Sequence, residues 1–316
     1  HPDLVIMQWW HPYFAPCYYM LCKCLKETKI LFVCHNVFPH ERFPMDRMLT
    51  KTVLRQGSCH IVQSKKDAED LQSIIANPVF RQTVHPTYNA FRIENMSREE
   101  ARGKIGIGND EKILLFFGFV REYKGLKYLI RAMQSITKRV TDVKLLIVGD
   151  FSGEESKRQY EDLIGQTGVK EHITVYDGYI PDKEVEKFFA ASDIVVLPYV
   201  SATQSGIAQI AYGFEKPVVV TNVGGLPDVV TNQKTGYIVE SESADAIADA
   251  VVDFFEQDKA AEFMENVRKE AYRFSWERMT EIVEEMVAER NMEMRQSLDR
   301  QTDRQTDRQT DRQTDR

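Results

Sequence analysis

From about residue 112 onward, uninterrupted apolar runs alternate with segments in which apolar residues recur at helical spacing. A run without polar alternation is typical of a strand buried on both faces, as in a parallel sheet. Parallel strands are joined by crossover helices, so the alternation predicts an α/β domain with helices on both faces of its sheet. The predicted strands are 113–117, 143–148, 173–176, 194–198, 217–221 and 237–239, and the predicted helices are 126–140, 154–168, 182–192, 206–214 and 244–256.

The first 95 residues show the same pattern with fewer elements. Two Rossmann-like domains in tandem, whose parallel sheets face each other across a cleft, are the simplest arrangement that contains both sets. We predict a front domain (1–95) and a back domain (96–275), with ligands bound past the carboxyl ends of the strands. The front strands are predicted at 4–7, 30–34, 60–63 and 82–85, and the front helices at 46–54 and 66–74.

The two ends of the chain look unlike natural protein ends. The sequence starts with His1, and residues 2–7 already enter a predicted strand, so we expect an N-terminally truncated, incomplete front domain. Residues 301–316 are four copies of Gln-Thr-Asp-Arg, a unit that a four-base DNA repeat can encode. These residues include no apolar side chain to offset the entropy of ordering, so 296–316 is predicted to be a disordered tail. The repeat is either a frame-switching device or an accident at a gene end.

Composition and charge exclude several classes of protein. No apolar run approaches the roughly 20 residues that a membrane span needs, and no signal segment opens the sequence, so a cytoplasmic protein is predicted. Residues 1–95 hold 11 Lys and Arg against 8 Asp and Glu (+3), and residues 96–316 hold 30 against 40 (−10). The mildly basic front suits an anionic acceptor or a lipid headgroup surface, or is ordinary surface variation. No nucleic-acid partner is predicted.

The cysteines predict neither a disulfide framework nor a metal site. All five lie in the first 59 residues, at spacings that fit no disulfide pattern, so reduced thiols are expected. The pair Cys22-Lys23-Cys24 lacks the second pair that a zinc site needs. The sequence also has no Asp-x-Asp, so no metal ion is predicted.

Residues 118–125 (GFVREYKG) follow a predicted buried strand and open a helix. Backbone N–H groups at a glycine turn and a helix N-terminus favour negative charge, and Arg and Lys side chains supply counter-charge. Gly118, Arg121 and Lys124 are therefore candidate diphosphate-binding residues. The alternative is a loop with solvated basic side chains.

Two more loops fall at the same predicted edge of the sheet. In the loop 201–206 (SATQSG), Thr203 and Ser205 offer hydroxyl donors, and Gly206 opens the following helix. A plain helix N-cap is the alternative interpretation. The next loop contains Gly224-Gly225, which permits a tight turn or a close backbone approach. Three such loops at one sheet edge indicate a phosphate site more strongly than any one of them.

Several segments resemble, in order, those of GT-B glycosyltransferases of family 4 (glycosyl transferases group 1). The resemblance covers about residues 1–290 and implies a GT-B fold and retaining transfer of a sugar from a nucleotide-diphosphate donor, with no cofactor. It also implies that a helix within 276–295 returns to the front domain. The segments include GFVREYKGLKYLIRAM, LLIVGD, SATQSGIAQIAYGFEKPVVVTNVGGLPDVV and GYIV, and FVCHNVFPHE and IVQSKKDAEDL, which resemble a subgroup with HNVxPHE and ATQSG motifs.

The resemblance also assigns roles to individual residues. Lys124 matches the lysine that contacts the donor diphosphate. The family's usual arginine after the glycine is Phe119 here, so Arg121 is expected to act in its place. By the same resemblance, the nucleotide base and ribose region comprises Gly178, Tyr179 and Ile180, and the loop on the sugar side contains Gly224, Gly225 and Asp228.

One departure from the family pattern concerns ribose recognition. Many members carry two glutamates eight positions apart, and the second holds the ribose hydroxyls. That position falls on Ile210 or Ala211 here, and neither side chain can hydrogen-bond ribose. The ATQSG variant resembles a subgroup form, so the departure is not a sign of lost activity.

His35 follows a buried strand of the front domain. By resemblance, this histidine faces the cleft near the transferring sugar, where an imidazole can bond a sugar hydroxyl or stabilise the leaving phosphate. His35 is the predicted catalytic residue, and a structural histidine that caps a loop is the alternative. The aromatic cluster 9–14 (WWHPYF) faces either a lipid-linked acceptor, the bilayer interface or the core.

Together these features predict a hexosyltransferase that uses a glycan or lipid-linked acceptor, in the synthesis of cell-surface polysaccharide or lipopolysaccharide. It is expected in the cytoplasm or peripherally on the inner face of the membrane. The main alternative is an inactive remnant that binds a nucleotide sugar. A nucleotide-sugar epimerase on the same fold is a third interpretation.

Overall fold

The computed structural model describes residues 2–26, 28–39, 42–289 and 291–292. These residues divide into two units, one up to 275 and one that starts at 276. In the second unit, residues 276–289 are helical. The predicted return of segment 276–295 to the front domain stays a prediction. The QTDR tail, 296–316, lies outside the described residues.

Four parallel strands, paired in chain order, form the sheet of the front domain. They are β1 (Leu4–Trp9), β2 (Lys29–Cys34), β3 (Cys59–Val62) and β4 (Phe80–Gln82). The prediction of a strand at 82–85 was wrong in position, because Val84 is buried in the core of the back domain rather than in a front strand. Apolarity alone does not say which core buries a residue.

Among the described residues of the first unit, eleven α-helices accompany the two sheets. Their bounds are α1 (Ala15–Cys24), α2 (Asp46–Leu54), α3 (Lys65–Ile74), α4 (Arg98–Ile105), α5 (Leu126–Arg139), α6 (Glu154–Thr167), α7 (Asp182–Ala191), α8 (Gly206–Gly213), α9 (Leu226–Val229), α10 (Ala244–Glu256) and α11 (Ala260–Lys269). The pattern predicted seven of them and missed α1, α4, α9 and α11. In α1 the apolar side chains do not lie on a single buried face.

Six parallel strands form the sheet of the back domain. They are β5 (Lys112–Phe117), β6 (Val143–Gly149), β7 (Ile173–Asp177), β8 (Ile194–Leu197), β9 (Val218–Thr221) and β10 (Gly236–Val239). Their order is β10-β9-β8-β5-β6-β7, the doubly wound arrangement in which the first and fourth strands are neighbours. The predicted α/β fold with two Rossmann-like halves is confirmed.

The apolar runs are continuous because successive residues of each strand enter different cores. Leu114 and Phe116 belong to the core under α5, α6 and α10. Leu115, between them, belongs to the core under α7 and α8. A parallel strand covered by helices on both faces must be apolar at every buried position, and β5 is apolar from Ile113 to Phe117.

A buried guanidinium holds the start of the back domain in place. Arg102 on α4 is fully buried, and its Nη2 lies 3.0 Å from Asp193, the residue before β8. Its other N–H groups donate to the backbone carbonyls of Gly108, Asn109, Glu111 and Ala191 at 2.7–3.0 Å. Arg98 bonds the same carboxylate from a more exposed position.

We predict that Arg102→Met lowers the free energy of unfolding by roughly 3–5 kcal/mol, because it leaves buried backbone carbonyls without a donor and removes the buried cation from the partly buried Asp193 carboxylate, which keeps only Arg98 and the Ile113 N–H. Equilibrium urea unfolding measures the change. Arg98→Met is the matched control, and it should cost at most about 1 kcal/mol because that side chain is partly solvated. Equal losses for the two variants would contradict the assignment.

Candidate functional site

Two loops of the back domain that carry candidate phosphate-binding residues meet where β5 and β8 pair. Leu114 and Leu115 of β5 are in register with Ile194 and Val195 of β8. The helix after β5 covers one face of the sheet and the helix after β8 covers the other. The loops 118–125 and 199–205 therefore flank the switch point of the sheet, the crevice where doubly wound sheets bind ligands. They contact each other there, since the Val200 N–H donates to the Tyr123 carbonyl oxygen at 2.7 Å.

A chain of polar side chains crosses this crevice. Lys124 donates from Nζ to the Tyr199 hydroxyl at 2.8 Å, and that oxygen lies 3.2 Å from Ser205 Oγ. Ser205 is the N-cap of α8 and accepts from the Ala208 N–H. Within the described part of the chain, Lys124 pairs with no carboxylate. Its partly buried ammonium, beside a helix N-terminus, therefore forms a site for an anion.

Two glycines allow the loops to come this close. Gly125 has φ +66°, and a Cβ there would lie 1.9 Å from the carbonyl oxygen of Pro198 at the end of β8. Gly224 has φ +52°, and a Cβ there would lie 1.5 Å from the Ala202 carbonyl oxygen. Both positions require left-handed backbone and exclude a side chain, which explains the glycines of the two predicted motifs.

The loop 201–206 also contacts the front domain. Thr203 donates from Oγ1 to Asn36 Oδ1, and Gln204 donates from Nε2 to the His35 carbonyl oxygen at 3.4 Å. The Gly225 N–H donates to the Thr203 carbonyl at 2.8 Å. These bonds fix the end of β2 against the candidate phosphate loop.

Asp228 joins the two domains at a second point. Its carboxylate accepts from the Lys65 backbone N–H at 3.0 Å, at the first turn of α3, and the Lys65 ammonium lies 3.6 Å away. A carboxylate at a helix N-terminus is electrostatically favourable. The side chain of Asp228, which the sequence analysis assigned to the sugar side, therefore bonds the front domain in the structure.

His35 lies in the cleft within a cluster of rings. It stacks on Trp10 with ring centroids 4.2 Å apart, its Nε2 lies 2.6 Å from Gln8 Oε1, and the ring of His85 is 5.7 Å away. Burial, with a smaller effect of His85, lowers the pKa of His35 to about 4. The imidazole is therefore neutral near pH 7 and can exchange hydrogen bonds with a hydroxyl.

Two residues after the last front strand, His85 and Tyr88, extend this cluster, and sequence reasoning missed Tyr88. Tyr88 donates to His85 Nε2 at 3.1 Å, and His85 Nδ1 bonds the Pro86 carbonyl at 2.8 Å. The Tyr88 ring lies 3.6 Å from the position of a Cβ on Gly206. Tyr88 therefore links the His35 cluster to the start of α8. In the sequence, the one feature that pointed to Tyr88 was the polar and aromatic run 85–88 after the last front strand.

The other predicted residues lie farther from the Lys124 chain. Arg121 is exposed and lines a separate cavity between α5 and α6. Gly178, Tyr179 and Ile180 follow β7, which β6 separates from β5, and Tyr179 is 74% exposed. They share the sheet edge with the crevice but do not touch the polar chain.

The aromatic cluster divides between core and surface. Trp9 is fully buried and donates from Nε1 to the Val37 carbonyl at 3.2 Å. Trp10, Tyr13 and Phe14 are more than half exposed. The five cysteines form no disulfide. Among the described residues, no three His, Cys, Asp or Glu side chains are grouped as metal ligands, and no helix is long and apolar enough to cross a membrane.

The sequence model of glycosyl transferases group 1 matches residues 97–274, the whole back domain. The chain belongs to this family. An uncharacterized glycosyltransferase of Methanocaldococcus jannaschii is 33% identical over 71% of the chain and 58% of its own length. The D-inositol 3-phosphate glycosyltransferase of Mycobacteroides abscessus is 31% identical over 68% of the chain and 48% of its own length. The chain thus spans about half the length of these group 1 relatives.

Solved structures share the fold of this group 1 chain at low identity. Sucrose-phosphate synthase from Thermosynechococcus elongatus has a TM-score of 0.70 at 20% identity, over 93% of this chain and 73% of that one. HepE from Anabaena, in complex with UDP, has a TM-score of 0.74 at 16% identity, over 91% and 79%. These likenesses confirm the GT-B arrangement predicted from the motifs.

We predict that His35 stays neutral down to about pH 5. An unfolded histidine has a pKa near 6.5 and the folded one about 4, so between these values the unfolded chain binds more protons and stability falls as pH falls. NMR titration of the imidazole, assigned with His35→Gln, measures the folded pKa. A midpoint near 6.5 would contradict the burial of this ring.

Proposed function

We propose that this chain is a retaining glycosyltransferase that moves a sugar from a nucleotide-diphosphate donor to a glycan or lipid-linked acceptor. Membership in group 1 supports the reaction class. The observation that carries the donor assignment is the Lys124–Tyr199–Ser205 chain at the switch point of the back sheet. The proposed setting is the synthesis of cell-surface polysaccharide or lipopolysaccharide.

The donor diphosphate would lie between Lys124 and the start of α8. Lys124 supplies positive charge, and the first turn of α8, with Ser205 and Gly206, supplies backbone N–H groups. When the bond between the anomeric carbon and the phosphate oxygen breaks, charge builds up on the departing diphosphate, and these groups offset it. Gly118 lies beside the same ammonium, since a Cβ there would be 3.8 Å from Nζ. Thr203 completes the proposed set from the flanking loop, whereas Arg121, which the sequence motif assigned to the same set, lines the separate cavity between α5 and α6.

His35 would act on the sugar side of the same cleft. The acceptor hydroxyl attacks the anomeric carbon on the face that the diphosphate leaves, and its proton passes to the departing phosphate oxygen. A neutral imidazole can hold a sugar hydroxyl during this step without adding charge. Asn36 and Gln204 support the proposal, because they connect the backbone around His35 to the phosphate loop.

UDP and UDP-glucose are the first donor ligands to test, because structures of the fold neighbour HepE hold them. The base would lie near Gly178, Tyr179 and Ile180. A lipid-linked acceptor would bring the front domain to a membrane surface, and the exposed Trp10, Tyr13 and Phe14 suit an interface of that kind. The proposal includes no metal or organic cofactor.

The second candidate function is binding of a nucleotide sugar without transfer. Ile210 and Ala211 stand where many family members carry the ribose-binding glutamate, and both are buried apolar side chains. A donor held only through its diphosphate and base would bind with fewer constraints on the sugar. Saturable UDP-sugar binding with no product from any acceptor would favour this candidate.

We predict that Lys124→Ala weakens UDP binding about 10- to 100-fold, since it removes a charge-assisted hydrogen bond to phosphate worth roughly 1.5–3 kcal/mol. Isothermal titration calorimetry measures the change. Lys138→Ala removes an exposed lysine from the far end of α5 and is the matched control. Unchanged UDP affinity in the Lys124 variant would remove the assigned donor site.

We predict that His35→Ala lowers sugar transfer at least tenfold while UDP affinity stays within about twofold, because the imidazole faces the sugar and not the nucleotide. Transfer from UDP-glucose to a panel of glycans and lipid-linked sugars is followed by chromatography, and NMR of the anomeric proton reports whether configuration is retained. Loss of UDP binding together with transfer would count against this role.

A further inference from the structure

A second cavity lies on one face of the back domain, between α5 and α6. Its volume is about 640 Å³, within the roughly 300–1,000 Å³ range of small-molecule sites. Arg121, Lys127 and Arg131 line it from the loop after β5 and from α5, and Ser156, Gln159 and Tyr160 line it from α6. None of the side chains in the Lys124–Tyr199–Ser205 chain contributes to its lining.

The lining of this cavity is basic, although residues 96–316 as a whole carry a net negative charge. Three cations line it, against the single carboxylate of Glu122, which is 88% exposed and lies 3.4 Å from Lys127. Within the described part of the chain, Arg121 and Arg131 form no ion pair. By contrast, Arg139 at the other end of α5 pairs with both Asp249 and Glu256. Residues 96–316 carry 30 basic against 40 acidic side chains, so a basic cavity there is an exception.

The floor of the cavity is held by the backbone. The Val120 N–H donates to the Asp150 carbonyl at 2.8 Å, and Ser152 Oγ donates to the Val120 carbonyl at 2.9 Å. Val120 and Phe151 also form a parallel bridge beyond the ends of β5 and β6. The walls are two packed helices of 14 residues each. These contacts fix the floor of the cavity and the start of both helices that line it.

We infer that this cavity binds a small phosphorylated molecule at a site separate from the proposed donor site. Two guanidinium groups without acidic partners match the planar, bidentate recognition of phosphate oxygens. Ser156 and Gln159 offer further hydrogen bonds, and the ring of Tyr160 offers an apolar face for the rest of the molecule. A phosphorylated sugar has both a phosphate group for the guanidinium groups and a ring that can lie against Tyr160.

Arg131→Gln tests this site without touching the loop that holds Lys124. Glucose 6-phosphate and inorganic phosphate are the probes, and isothermal titration calorimetry is the measurement. We expect glucose 6-phosphate to bind the unaltered chain and the Lys124→Ala variant alike, and to bind Arg131→Gln at least tenfold more weakly. Lys138→Gln, which removes an α5 cation outside the cavity, should bind as the unaltered chain does.

UDP binding separates this inference from the proposed function. Arg131→Gln should bind UDP normally, whereas Lys124→Ala should not. Equal affinity of Arg131→Gln and the unaltered chain for glucose 6-phosphate, or no binding of either probe to the unaltered chain, would overturn the second site. Loss of glucose 6-phosphate binding in Lys124→Ala would also overturn it, because it would place the probe in the donor crevice.

Discussion

The pairing of β5 with β8 is the contact on which the candidate site depends. The two strands are far apart in the chain, yet they are neighbours in the sheet, and the helices that follow them cover opposite faces. Their loops therefore flank the switch point of the sheet, where the side chains of Lys124, Tyr199 and Ser205 meet. A strand order in which β5 and β8 were not neighbours would separate Lys124 from Tyr199 and Ser205.

Polar contacts between the domains place the front domain against that crevice. Thr203 bonds Asn36, Gln204 bonds the His35 carbonyl, and Asp228 bonds the start of α3. Loops that follow back-domain strands thus serve as both candidate ligand loops and interdomain contacts. Because the same residues carry both roles, a change in the phosphate loop would move His35 as well. Tyr88 adds a third connection, between His85 and the start of α8.

The back half of the chain is acidic overall but has two separate basic regions. Lys124 lies in the crevice, and Arg121, only three residues earlier, lines the cavity between α5 and α6. One short loop thereby presents cations in two directions. The glycine-rich motif of the sequence indicated a single phosphate site, because spacing along a loop does not say which way each side chain points.

The sequence by itself determined the pattern of two parallel sheets, nearly all of the strands and the helices that have one continuous apolar face. Burial on both faces forces continuous apolar runs, and helical periodicity is local, so both can be read from neighbouring residues. Only the tertiary structure decided that Val84 joins the back core, that Asp228 holds α3, that Arg121 turns away from Lys124, and that Tyr88 meets α8. Each of these depends on partners distant in the chain, and periodicity carries no information about them.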